Sequence, residues 1–132
     1  MRFLIADDNR FSMELIKSVL EEYGECVCAE DGVIAVEEFK KSLKDGNPFD
    51  LICLDIRMPR MDGQEALCKI REIERKDGAS IEHDTVVTMI TALDDEMHIT
   101  EAFLKGNATG YITKPITREK LIDEMTLYGL LC

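Results

Sequence analysis

Basic residues are in short supply: 16 Lys and Arg stand against 27 Asp and Glu, giving a formal net charge of -11. A surface that binds DNA or RNA must neutralise phosphates with clustered cations, and no such cluster occurs along the chain. Nucleic acid is therefore excluded as a partner. Histidine occurs twice, at His83 and His98, and neither has metal-ligand spacing to a second His or Cys. The five cysteines, Cys26, Cys28, Cys53, Cys68 and Cys132, form an odd set without a C-x-x-C. That set argues against zinc or a disulfide framework and suits reduced thiols in the cytosol. No apolar run approaches the length of a membrane span, and MRFLIADD at the N-terminus carries four apolar residues before two acids. No membrane contact and a cytoplasmic location are expected.

What the chain does have is alternation. Five short apolar runs recur: Phe3-Leu4-Ile5-Ala6, Cys26-Val27-Cys28-Ala29, Leu51-Ile52-Cys53-Leu54, Val86-Val87-Thr88-Met89-Ile90 and Tyr111-Ile112-Thr113. They are near-continuous, the signature of strands buried on both faces of a parallel sheet. Cys26 and Cys28 fall on one face of such a strand and are expected in the core.

Helical stripes lie between the runs. The first comprises Phe11, Leu15, Ile16, Val19, Leu20 and Tyr23, the second Ala35, Val36, Phe39 and Leu43, the third Ala66, Leu67, Ile70 and Ile73, and the last Leu121, Ile122, Met125 and Tyr128. The segment from Asp95 to Lys105 is the weakest, with Ile99, Ala102 and Phe103 as its apolar share. Asp62-Gly63-Gln64-Glu65 has the form of a capping box, Asp94 and Thr117 are good N-caps, and Gly24 and Gly106 sit where helices should stop. The pattern predicts an α/β fold, a three-layer doubly wound (βα)5 domain. Its five-stranded parallel sheet would carry helices on both faces, and at 132 residues one domain accounts for the chain. Glu74 to Asp84 reads as an exposed loop.

In an open parallel sheet, ligands bind beyond the carboxyl ends of the strands. The first run ends in Asp7-Asp8, the third in Asp55, the fourth in Thr91-Ala92, and Lys114-Pro115 follows the fifth. A strand order of 2-1-3-4-5 gathers these ends into one cleft. Two carboxylates about 4 Å apart repel by roughly 4 kcal/mol at an effective dielectric of 20, so three acids are not gathered for stability alone. A hard divalent cation such as Mg²⁺ or Mn²⁺, bound by oxygen, removes the objection. Asp55 beside a metal, facing a hydroxyl from Thr91 and an ammonium from Lys114, suits phosphoryl transfer to a carboxylate.

The ordered set of Asp7-Asp8, Asp55 with Met58-Pro59 and Met61-Asp62-Gly63, Thr91-Ala92, and Tyr111 ahead of Lys114-Pro115 resembles the receiver domain of two-component response regulators over nearly the whole chain. The resemblance implies that Asp55 is the phosphoacceptor, charged from a phosphohistidine on a sensor histidine kinase or histidine phosphotransfer protein. It implies that Asp7, Asp8, Asp55 and the main-chain carbonyl of Arg57 hold Mg²⁺, and that Lys114 contacts the phosphoryl group and joins Pro115 through a cis bond. Thr91 and Ala92 would close on the phosphoryl oxygens while Tyr111 rotates inward. That movement changes the face made by the fourth helix, fifth strand and fifth helix, which a downstream protein, a fused output domain or a second copy would read. Arg57 and Leu93 occupy the two positions that tune access of water to the acyl phosphate, and their bulk implies slow self-dephosphorylation. Met58 and Met61 are expected to pack on the first turn of the third helix.

The chain is thus expected to be a single receiver domain over residues 1–132, with no output domain and no catalysis beyond its own phosphorylation. Two other readings share features with it. A haloacid dehalogenase type phosphatase places its nucleophile after the first strand in a D-x-D pattern, whereas Asp55 lies mid-chain before Ile56-Arg57. A flavodoxin-like carrier needs a hydroxyl- and glycine-rich loop after the first strand, where this chain has Asp-Asp-Asn-Arg.

Overall fold

Each apolar run becomes a strand whose alternate side chains enter opposite layers. In the computed structural model, which describes residues 1–77, 85–92 and 108–131, the first half of the chain forms β1 (Arg2–Ala6), α1 (Arg10–Leu20), β2 (Glu25–Ala29) and α2 (Gly32–Lys44). The second half forms β3 (Leu51–Asp55), α3 (Gly63–Lys76), β4 (Val86–Thr91), β5 (Gly110–Thr113) and, last of the described helices, α4 (Arg118–Leu127). The strands are parallel in the order β2-β1-β3-β4-β5. Leu93, Asp94, the helix expected near residues 95–105 with His98, Gly106, most of the 74–84 loop with His83, and Cys132 lie outside the described residues.

Two cores result. Leu4, Ile52 and Leu54 meet Phe39 of α2 and Leu67 and Ile70 of α3 on one face. Phe3, Ile5, Leu51 and Cys53 meet Ile16 and Leu20 of α1 and Leu121 and Met125 of α4 on the other. The register brings Ala6 level with Ala29 and Leu54, Asp55 level with Ile90, and Thr91 level with Thr113. The chemistry-bearing residues therefore leave the sheet along one edge.

Side-chain oxygens cap each described helix. Asp62 accepts from the Glu65 N–H at 2.9 Å and Thr117 from the Lys120 N–H at 3.2 Å. Asn9 and Asp31, which the patterns did not single out, accept from Ser12 at 3.0 Å and Ile34 at 2.9 Å.

Four expectations need correction. Glu74, Arg75 and Lys76, expected at the start of an exposed loop, complete α3, and Glu74 is buried because Arg71 one turn earlier pairs with it. Phe11 is 81% exposed, and the buried stripe of α1 is Met13, Ile16, Val19 and Leu20. With Asn9 as cap, Phe11 falls in the first turn, where it escapes the core. Cys28 is exposed rather than buried, because β2 is an edge strand of the sheet. Gly24 is not a helix stop: α1 ends at Leu20, and a Cβ on Gly24 would lie 2.1 Å from the Met1 carbonyl oxygen. The glycine is there for a close backbone approach.

Candidate functional site

At the carboxyl ends of β1 and β3, backbone pairing continues just past the strands and fixes where the side chains point. The Asp7 N–H donates to the Ala29 carbonyl at 3.1 Å and the Ile56 N–H to the Ile90 carbonyl at 3.1 Å. Asp7 is 0% and Asp55 5% exposed, while Asp8 faces solvent. One carboxylate oxygen from each of Asp7, Asp8 and Asp55 lies within 4.8 Å of the others.

Lys114 arrives from the end of β5. Its N–H donates to the Thr91 carbonyl at 2.7 Å, its bond to Pro115 is cis, and its Nζ stands 3.3 Å from Asp55 Oδ2. Thr91 is fully buried, and its Oγ1 has no hydrogen-bond partner among the described residues. Ala92, half-buried, continues the chain beside it. The sequence-nominated Asp7, Asp8, Asp55 and Lys114 are thus brought together, with Thr91 at the neighbouring strand end. Tyr111 lies on β5 with 47% of its surface exposed, facing a groove of about 420 Å³ that Glu124, Leu127 and Tyr128 also line.

One cation does not balance three acids. Burial pushes the Asp7 carboxyl up to about 7, with the nearby Asp55 charge adding to it and the Asn9 N–H and Lys114 opposing it. The Asn9 N–H donates to Asp7 Oδ1 at 2.8 Å, while Asp7 Oδ2 is buried with no hydrogen-bond partner among the described residues. An orphaned carboxylate oxygen inside a cluster of hard oxygen donors fits a divalent cation of the Mg²⁺ type. Asp7, Asp8 and Asp55 are the side chains that could hold it.

The turn after Asp55 completes the cleft. The Gly63 N–H donates to the Ile56 carbonyl at 2.8 Å, and a Cβ on Gly63 would sit 2.2 Å from the Asp55 carbonyl oxygen. Only glycine lets α3 start this close to the strand. Met58 and Met61 pack against the core on the α2 and α3 face. Asp8, Ile56, Arg57, Met58, Pro59, Asp62 and Gln64 line a cavity of about 450 Å³ at the mouth.

Sequence reasoning missed Arg60 and Asp31. Arg60 has φ 63°, the left-handed region, which costs roughly 1–2 kcal/mol for a residue with a side chain. Its Nε donates to Asp31 Oδ2 at 2.8 Å, and this holds the Asp31 carboxyl below the usual carboxylate range. A partner 29 positions away leaves no local signal. Only the Asp31-Gly32 pair before an apolar stripe could have suggested a cap there.

Comparison with known proteins gives the family and the fold. The family model for the response regulator receiver domain matches residues 3–126. The chain is 34% identical over 123 residues to hybrid signal transduction histidine kinase I of Dictyostelium discoideum, covering 92% of this chain but 7% of that protein. It is 37% identical over 124 residues to the chemotaxis protein CheY of Halobacterium salinarum, covering 93% of this chain and 92% of CheY. Among solved structures, the receiver domain of the Saccharomyces cerevisiae response regulator Ssk1, crystallised with the histidine phosphotransfer protein Ypd1, superposes with a TM-score of 0.84 at 25% identity. That match covers 98% of this chain and 89% of the other. Relatives therefore include both long kinases, of which the chain spans a small part, and chains of similar length.

Proposed function

The chain belongs to the response regulator receiver domain family, and from that premise we propose that Asp55 accepts a phosphoryl group in a Mg²⁺-dependent reaction. The donor is a phosphohistidine on a sensor histidine kinase or a histidine phosphotransfer protein. One observation carries the reading: Asp55 stands 3.3 Å from Lys114 Nζ inside a cluster of three carboxylates at adjacent strand ends. The fold alone would leave the dehalogenase and flavodoxin readings open. The family match favours neither.

A carboxylate oxygen of Asp55 attacks the phosphorus in line with the donor nitrogen. A P–O bond forms as the P–N bond breaks, and the histidine nitrogen leaves with the electron pair. Lys114 neutralises one equatorial phosphoryl oxygen, and the Thr91 hydroxyl donates to another. Thr91 Oγ1, without a partner among the described residues, would gain one in that state. Asp7, Asp8, Asp55 and the main-chain carbonyl of Arg57 would hold Mg²⁺ (or Mn²⁺), which would supply neutralising charge for the transferred group.

Movement of Thr91 and Ala92 toward the phosphoryl group lets Tyr111 turn inward, which remodels the surface made by β5 and α4. A downstream protein, a fused output domain or a second copy of the chain reads that surface. Arg57 at the cleft mouth slows water attack on the acyl phosphate, and Leu93 is assigned the same role.

The test is incubation with Mg²⁺ and a small acyl phosphate donor. One acid-stable, base-labile phosphoryl group per chain, absent in Asp55→Asn, is the expected result. Label retained in Asp55→Asn, or many phosphates turned over per chain, would refute the assignment.

A further inference from the structure

We propose that Arg60 is a positioning residue, whose ion pair with Asp31 latches the turn after β3 to the start of α2 and thereby sets the affinity of the acidic cleft for Mg²⁺. This inference rests on the reading of the cleft given above. A left-handed residue other than glycine persists only where its surroundings over-determine it. At Arg60, with φ 63°, those surroundings are specific. Arg60 Nε donates to Asp31 Oδ2 at 2.8 Å while Asp31 Oδ1 accepts from the Ile34 N–H at 2.9 Å, so one buried carboxylate ties the turn and caps α2 at once.

The adjacent residues repeat the tie through the backbone. The Gly32 N–H donates to the Met61 carbonyl at 3.1 Å, and a Cβ on Gly32 would meet that oxygen at 2.2 Å. Two consecutive residues of one turn are thus fastened to two consecutive residues of the other. The fastened turn carries Arg57 and, with Asp8, lines the cavity at the cleft mouth. Releasing it lets the Arg57 main chain drift relative to Asp8 and Asp55. Partners that orient metal ligands at one remove commonly change affinity tenfold or more; a half-exposed pair acting through a short turn should change it by about three- to tenfold.

Simple electrostatics predicts the opposite sign. Removing a cation near an acidic cleft should strengthen Mg²⁺ binding, whereas loss of a latch weakens it. Arg60→Gly is the decisive variant, because glycine removes the pair while adopting the left-handed backbone without strain, and Asp31→Asn, which leaves the backbone of the turn unchanged, should weaken Mg²⁺ binding in the same direction. Mg²⁺ titration by calorimetry should give a dissociation constant about three- to tenfold higher in Arg60→Gly, with Arg60→Lys between it and wild type. The Asp31→Asn/Arg60→Gly double variant should be no weaker than the weaker of its two parents, because the two residues act as one unit. Without metal, the Gly32 amide should exchange with solvent faster in Arg60→Gly than in wild type. If wild type binds Mg²⁺ but Arg60→Gly binds equally well or more tightly, the latch is refuted while the site stands. If wild type binds none, the reading of the site fails and the latch with it.

Discussion

Replacing Asp7 by Asn keeps the shape of a fully buried side chain and removes its charge. Asn can still accept the Asn9 N–H through its Oδ1, the bond Asp7 makes at 2.8 Å. In the unfolded chain Asp7 loses its proton near 3.8, and in the folded chain near 7, chiefly because it is buried. Between those values the folded state binds more protons, so stability is highest at low pH and falls as pH rises toward 7. Full ionisation costs the folded state about 4 kcal/mol at about 1.4 kcal/mol per pKa unit, and less where water at the cleft mouth relaxes around the charge. Between pH 5 and pH 8 the share lost is about 2–3 kcal/mol, or roughly 10 °C in melting temperature for a domain of this size. Asp7→Asn lacks this loss. Metal-free melts should show the variant gaining on wild type by about that amount from pH 5 to pH 8. Adding Mg²⁺ at pH 8 should raise wild type, through binding to the folded state, far more than the variant. A stability difference that does not change with pH, or an equal response to Mg²⁺, would refute the account. Asp8 is a poorer place for the same experiment, since it faces solvent.

Gly63→Ala should lower stability by about 2 kcal/mol or more despite the better helix propensity of alanine, because the new Cβ meets the Asp55 carbonyl oxygen at 2.2 Å. Its phosphoryl uptake should fall with it, and an unchanged melt would show that the turn yields. Glu74→Ala strands a buried guanidinium, since Arg71 Nη1 donates to Glu74 Oε1 at 2.8 Å. Chemical denaturation should register about 3–5 kcal/mol, with less for Arg71→Leu/Glu74→Leu, in which neither charge remains. Arg57→Ala should shorten the lifetime of the acyl phosphate on Asp55; decay that is unchanged or slower would take Arg57 out of that role.

The parts of this protein that were legible in its sequence are those where chemistry dictates residue type. An acidic pair, a lone aspartate, a hydroxyl and a lysine follow the apolar runs, and a parallel sheet ends its strands along one edge, so the grouping of Asp7, Asp8, Asp55 and Lys114, with Thr91 at the neighbouring strand end, could be expected once the strand order was taken as that of a receiver. The sheet order β2-β1-β3-β4-β5 was not written in the apolar runs, which give parallel strands but not their sequence across the sheet; it came with the resemblance to receiver domains.

What escaped was complementarity between distant positions. Arg71 reads as a polar residue beside an apolar stripe. It is buried because Glu74, the Thr85 carbonyl at 2.8 Å and the Thr109 hydroxyl at 3.3 Å satisfy it, the last two from positions 14 and 38 residues away. Glu74 Oε2 in turn accepts from the Thr85 N–H at 2.7 Å, so the pair ties α3 to the start of β4. Phe11 shows the converse. Its spacing fits the stripe of α1, yet periodicity records only the angle around a helix and not whether anything lies beneath a given turn. Arg60 combines both limits, since its backbone conformation has no side-chain signature and its partner lies on another turn. A receiver's chemistry is therefore written in residue identity, while the framework that holds it in register is written in pairs that only the folded chain brings together.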